Sequence, residues 1–294
     1  MKEETVANHK ALYLTEEDKA IATKVVATIT KIVQVDTIFV LGKKEDTAHN
    51  IFIEPCAAGA HTSAFWLLVL ITGDDKRHKM YQDEIEQKCN HFHAVSSIVI
   101  QTSTFVHWLS AKDSFGLTVL LNAPFIYNTN PELEEWSKDI IAESIPEKIK
   151  SGFPKCFNLF NEYIAGAELF TVRKQYKLAL FMYHQATELL LTAFIKSQTG
   201  LELHIHNINH LNQYFGFLAP GIAADFCGAT QKEQEAFRLL QKSYCSARYD
   251  ADFEVGYAQL EIVRQKVSRA IQKLKEIGSL IFKEAGRFPR LNIV

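Results

Sequence analysis

The sequence predicts an α+β chain: a mixed α/β half over residues 1–150, then an all-α, up-and-down helical bundle over residues 151–294. Two observations carry this. Four short runs rich in β-branched and aromatic residues, TIFVLG (37–42), NIFIEP (50–55), AFWLLVLI (64–71) and SSIVIQ (96–101), all lie in the first half, bounded by Gly, Pro, Asn or Asp. From about residue 155 onward such runs cease, and apolar residues recur at three and four spacing.

Each element follows from its local pattern. Residues 15–33 open with Thr15 three residues before Asp18, a capping-box-like start, and Ile21, Val25, Ile29 and Ile32 then recur at helical spacing. An amphipathic helix is predicted. The four runs follow as strands, and the charged, breaker-free stretch Arg77 to Asn90 between the last two reads as a helix. A strand, helix, strand order implies that part of the sheet is parallel. One further helix is predicted over Thr104 to Leu121. The only Gly/Pro punctuation near the middle is SGFPK (151–155). Beyond it, CFNLFNEYIAGAELFTVR, YKLALFMYHQATELLLTAFIKSQTG, QKEQEAFRLLQKSYCSARY and GYAQLEIVRQKVSRAIQKLKEIGSLIFKEAG read as helices, and HIHNINHLNQYF as a connecting loop.

Composition narrows the function classes. A 294-residue chain with 47% hydrophobic and 22% charged residues is that of a folded globular protein. A net charge of -2 gives no global attraction for nucleic acid or an anionic membrane, so either would need a local patch. The polar start MKEETVANHK and the shortness of the apolar run 64–71 point to a cytoplasmic protein with no membrane partner. Cys56, Cys89, Cys156, Cys227 and Cys245 are odd in number and form no CxxC pair, which suggests reduced thiols rather than disulfides or a zinc site.

In the helical half, His184 and Glu188 of YHQATELLL lie one turn apart on the same face. HIHNINHLNQYF supplies His204, His206 and His210, and SARYDADFEV joins the last two helices. The order of these pieces, ending in LLQKSYCSARY, resembles the HEPN family over roughly residues 155–280, most closely its sacsin-like and nucleotidyltransferase-associated branches. The resemblance implies a helical bundle that associates with nucleotides or RNA and dimerises. Members that cut RNA carry a histidine separated from the arginine by four to six residues, because metal-free cleavage needs a cation and a titratable group. Here those positions hold Phe253, Glu254 and Val255, and no histidine follows His210. No catalytic residue is therefore assigned, and the expected ligand contacts are Arg248, Tyr249, His184, Glu188 and His206. Arg248 offers a planar fork to a phosphate and Tyr249 a stacking face. The competing reading pairs Arg248 with Glu188, Asp250 or Asp252. The three imidazoles could hold a metal, yet no cysteine or carboxylate completes the set, so neither metal nor cofactor is expected.

The first half resembles a minimal nucleotidyltransferase domain. Active members of that fold grip a triphosphate with Gly-Ser after the first strand and hold divalent ions with Asp-x-Asp on the second. In this chain Lys43 follows Gly42 where serine is expected, apolar Phe65 and Trp66 stand at the carboxylate positions, and the adjacent Asp74 and Asp75 cannot point at one metal. The domain reads as one without its catalytic site. Lys43 and Lys44 remain a candidate anion contact, and the basic C-terminal helix, from Arg264 to Arg290, is the surface on which nucleic acid would be sought. The function expected is a non-catalytic nucleotide- or RNA-phosphate-binding regulator. The alternatives are an antitoxin-like interaction module, or a nucleotidyltransferase or ribonuclease whose site is assembled from distant residues such as His184, Glu188 and Arg248.

Overall fold

The computed structural model of the chain describes residues 12–45, 47–52, 56–57, 63–73, 77–139 and 152–283. These divide into two compact units. The first comprises residues 1–153 with 194–204 and 213–220; the second comprises 154–193, 205–212 and 221–294.

In the first unit, helix α1 (Glu16–Ile32) begins at a complete capping box, Thr15 with Asp18. Strand β1 (Val35–Lys44) lies at the centre of the sheet. It pairs antiparallel with β2 (Thr47–Asn50), with β4 (Ala64–Ile71) and with β6 (Phe125–Asn128). The short β3 (Cys56–Ala57) extends the edge beyond β2. Helix α2 (His78–Cys89) returns the chain so that β5 (Ala94–Gln101) runs parallel to β4, as the strand, helix, strand order predicts.

All eight residues of AFWLLVLI are buried, because β4 is covered on both faces and both alternating sets must be apolar. Phe65, Leu67, Val69 and Ile71 join the core beneath α1 and α2 with Val25, Ile29 and Ile85. On the other face, the Trp66 ring stacks 5.8 Å from Tyr214 and 5.6 Å from Phe217. Gly42 is required by close approach, since a Cβ there would lie 2.9 Å from both the Asn50 Cβ and the His49 carbonyl oxygen.

Three sequence expectations are corrected. The strand expected from NIFIEP does not begin at Asn50: β2 ends there, and the Asn50 side-chain oxygen accepts from Phe52 N at 2.9 Å and turns the backbone out of the ladder, while residues 53–55 lie outside the described residues. The single helix expected over 104–121 is two, α3 (Thr102–Ser110) and α4 (Ser114–Asn122). Lys112 adopts a left-handed conformation (φ 54°) between them, and Asp113 starts α4 by accepting from Phe115 N and Gly116 N. HIHNINHLNQYF is a loop only as far as Asn207, which caps a further helix, α8 (Ile208–Leu218), by accepting from Asn209 N. The short α5 (Pro131–Asp139) closes the first half.

The later helices are α6 (Gly152–Val172), α7 (Tyr176–Thr199), α9 (Pro220–Cys227), α10 (Gln231–Tyr249) and α11 (Tyr257–Lys283). By length and composition α7 alone among the described helices could cross a membrane, yet much of it is buried within the protein. Glu233 has two tasks in the second unit. It completes the capping box of α10 with Thr230, and it meets Lys266 of α11 at 3.2 Å.

Candidate functional site

The site residues come from α7, the turn before α8 and the end of α10. His184 faces inward on α7 and has no solvent exposure. Burial, and then the nearby His206 and Arg248, lower its pKa to about 4, so the imidazole is neutral at physiological pH. Its Nδ1 lies 3.7 Å from Glu188 Oε2, beyond hydrogen-bond reach, and its Nε2 is buried without a hydrogen-bond partner.

One turn further along α7, Glu188 Oε1 accepts from His206 Nδ1 at 2.9 Å. A carboxylate acceptor fixes the proton on Nδ1 and leaves the other ring nitrogen turned outward on a side chain more than half exposed. His206 takes this place because it immediately precedes Asn207, the cap of α8.

Tyr244 is the hub. The His206 ring stacks on it at 4.8 Å and 13°, and the His184 ring lies at 5.3 Å. One helical turn later the Arg248 guanidinium sits 4.3 Å from the centre of the same ring, while its Nε donates to the Tyr244 carbonyl at 2.7 Å. The Arg248 guanidinium is further bordered by Phe181 at 5.5 Å and Tyr249 at 5.0 Å. No carboxylate among the described residues pairs with Arg248: Glu188 is engaged with His206, and the Asp250 carboxylate accepts from Asp252 N. The two terminal guanidinium nitrogens, the face that forks onto phosphate, are thus left to solvent.

Of the residues expected from sequence, His184, Glu188, His206 and Arg248 converge. Tyr249 lies beside Arg248 but is 80% exposed and packs little. Tyr244 and Phe181 are the residues that sequence reasoning misses. The available signal was that Tyr244 precedes Arg248 by four positions in a helical pattern, which puts the two on one face. His204 stays outside the cluster, and among the described residues no group of three metal-ligating side chains forms.

Elsewhere the other candidates are engaged. Lys43 pairs with the largely buried Asp18 at 2.6 Å; against the burial that would raise it, Lys43 and Thr15 hold the Asp18 carboxyl below its ordinary range. The Lys44 ammonium lies over the Phe217 ring. Phe65 and Trp66, at the positions where metal-binding carboxylates would stand, are core residues. On α11, Arg264 pairs with Glu261 of the same helix, Lys266 and Arg269 with Glu233 of α10, and Lys273 with Asp225 of α9, so four of its cations are already engaged by carboxylates. Asp74, Asp75, Arg287 and Arg290 lie outside the described residues.

Compared with protein-family models, residues 161–284 match the HEPN domain. This segment is a HEPN domain. Every member of the cluster just described lies inside it. No curated protein matches the chain. Among solved structures, a nucleotidyltransferase-like protein from Exiguobacterium sibiricum 255-15 aligns with 92% of this chain and 81% of its own. Its identity is 11% and its TM-score 0.30, a likeness too slight to carry a fold or a function.

Proposed function

We propose that the HEPN domain binds the phosphate of a nucleotide or of RNA, and that the chain acts as a non-catalytic regulator of the nucleotidyltransferase-HEPN type. The observation that carries this reading is Arg248. Its guanidinium is oriented by the Tyr244 ring and carbonyl and is unpaired with any described carboxylate, and the exposed imidazole of His206 stacks on the same Tyr244 ring. A tethered planar guanidinium with its fork unpaired is suited to the oxygen cluster of a phosphate. The first unit contributes no metal carboxylates at Phe65 and Trp66 and reads as a nucleotidyltransferase-like domain without turnover. The test is calorimetric titration of the full chain with ATP, GTP and a short single-stranded RNA, with and without magnesium, against Arg248→Ala. Binding that is indifferent to magnesium and lost in Arg248→Ala is expected; binding that requires magnesium would move the site to the first unit.

A second reading rests on the 2.9 Å bond between His206 and Glu188. A carboxylate-oriented imidazole near an arginine is also the equipment for metal-free cleavage of a phosphodiester, with His206 as the proton acceptor that the sequence lacks after Arg248. RNA cleavage abolished by His206→Ala and by Arg248→Ala would establish this reading in place of the first.

A further inference from the structure

A cavity of about 460 Å³ opens between two turns of the second unit, the α6–α7 turn with Lys174, Tyr176 and Lys177, and the α10–α11 turn with Phe253 and Glu254. It adjoins the Arg248 site through α7. Phe181, over which Arg248 lies, is one turn from Lys177, and the Lys177 ammonium bonds the carbonyl of Asp250, two residues beyond Arg248.

The wall formed by the α6–α7 turn is cationic in an unusual way. Lys174 closes α6 in the left-handed conformation, φ 59°, with its N–H on the Thr171 carbonyl and the Gln175 N–H on the Phe170 carbonyl. Glycine is the usual residue at such a helix end, because any Cβ there is strained. The chain instead sets a lysine at that point, on the rim of the cavity. Tyr176 and Phe253 add aromatic surface, and the Tyr176 ring is steadied by Tyr257 at 5.7 Å. Glu254, on the α10–α11 side, disfavours phosphate on its own wall, so an anionic backbone would track the lysines with its base toward the aromatic rings.

We infer that this cavity is a second subsite for the adjoining nucleotide of a single strand, so that the ligand of the Arg248 site is an oligonucleotide rather than a mononucleotide. The inference rests on the phosphate-binding reading of Arg248 and extends it. Cationic grooves with aromatic platforms are the means by which proteins hold single strands without reading sequence.

Lys174→Gly separates binding from folding, because it removes the ammonium while relieving the backbone strain. The experiment is titration of the full chain, its Lys174→Gly, Tyr176→Leu and Arg248→Ala variants with AMP and with a fluorescein-labelled six-residue RNA, read by calorimetry and anisotropy, together with thermal melts. The RNA should bind the parent at least roughly tenfold tighter than AMP, and Lys174→Gly and Tyr176→Leu should each lose roughly fivefold or more for RNA and nothing for AMP. Lys174→Gly should also melt higher than the parent. If RNA and AMP bind the parent equally, or if Lys174→Gly and Tyr176→Leu leave RNA affinity unchanged, the subsite falls while Arg248 keeps its role. If Arg248→Ala binds both probes as the parent does, or the parent binds neither, the phosphate reading falls and the subsite with it.

Discussion

Arg248 and Tyr244 form one device, since the ring beneath the guanidinium and the carbonyl on its Nε come from the same residue. Lysine at 248 would keep the charge and lose both the planar fork and the Nε tether. Arg248→Lys should therefore weaken nucleotide binding roughly tenfold while leaving the melting temperature almost unchanged, as the side chain is exposed. Tyr244→Leu keeps the helix and its backbone carbonyl but removes the stacking surface for Arg248 and His206. Its expected effect is smaller, about threefold in affinity, matching a cation–π contact at a solvent-facing site. Titration of both variants on the same nucleotide tests the order: a larger loss in Tyr244→Leu than in Arg248→Lys would show that the ring, not the guanidinium, makes the principal contact.

At the level of elements, the ends of α10 do the positioning. Thr230 and Glu233 fix where the helix begins, and its nineteen residues then carry Tyr244 and Arg248 to the far end. Thr230→Ala should cost about 1 kcal/mol in urea unfolding, the ordinary value of an N-cap. Glu233→Ala should cost more than Thr230→Ala, because Lys266, whose side chain is 5% exposed, loses its carboxylate as the cap is lost. Equal losses in the two variants would show that the Lys266 pair adds nothing to the cap. The start of α1 was legible in the sequence, since the capping box of Thr15 with Asp18 is a local signal, and β4 was legible because a strand covered on both faces reads as an unbroken apolar run. The break between α3 and α4 was not, for it depends on a lysine in a left-handed conformation that no propensity favours. The site was half legible. His184, Glu188 and Arg248 announce themselves by residue type within helical patterns, whereas the stacking of His206 on Tyr244 depends on how the turn before α8 meets α10, a long-range contact with no local trace.

Across the whole molecule, two buried titratable groups give the units opposite responses to acid. In the first unit, Glu86 of α2 is buried where its carboxylate accepts from Ser97 N at 2.7 Å, and burial, the dominant cause, raises its pKa to about 7 despite that bond. A carboxyl whose folded pKa lies above its unfolded one contributes stability that is complete below about pH 4.5 and is lost as pH rises through 7. In the second unit, His184 has a folded pKa of about 4 against 6.5 unfolded, so its contribution is complete above pH 6.5 and is lost as pH falls toward 4. Acidification from pH 8 to pH 5 should then stabilise the first unit by about 2 kcal/mol and destabilise the second by a similar amount. Hydrogen exchange followed by mass spectrometry resolves the two, with protection of β4 and β5 rising at pH 5 while that of α7 and α10 falls. Glu86→Gln should flatten the first response and leave the second intact, because the amide still accepts from Ser97 N but no longer titrates. His184→Phe should do the converse. If the two units change protection in the same direction, or if Glu86→Gln leaves the slope of β5 untouched, these two residues do not govern the pH response of the fold.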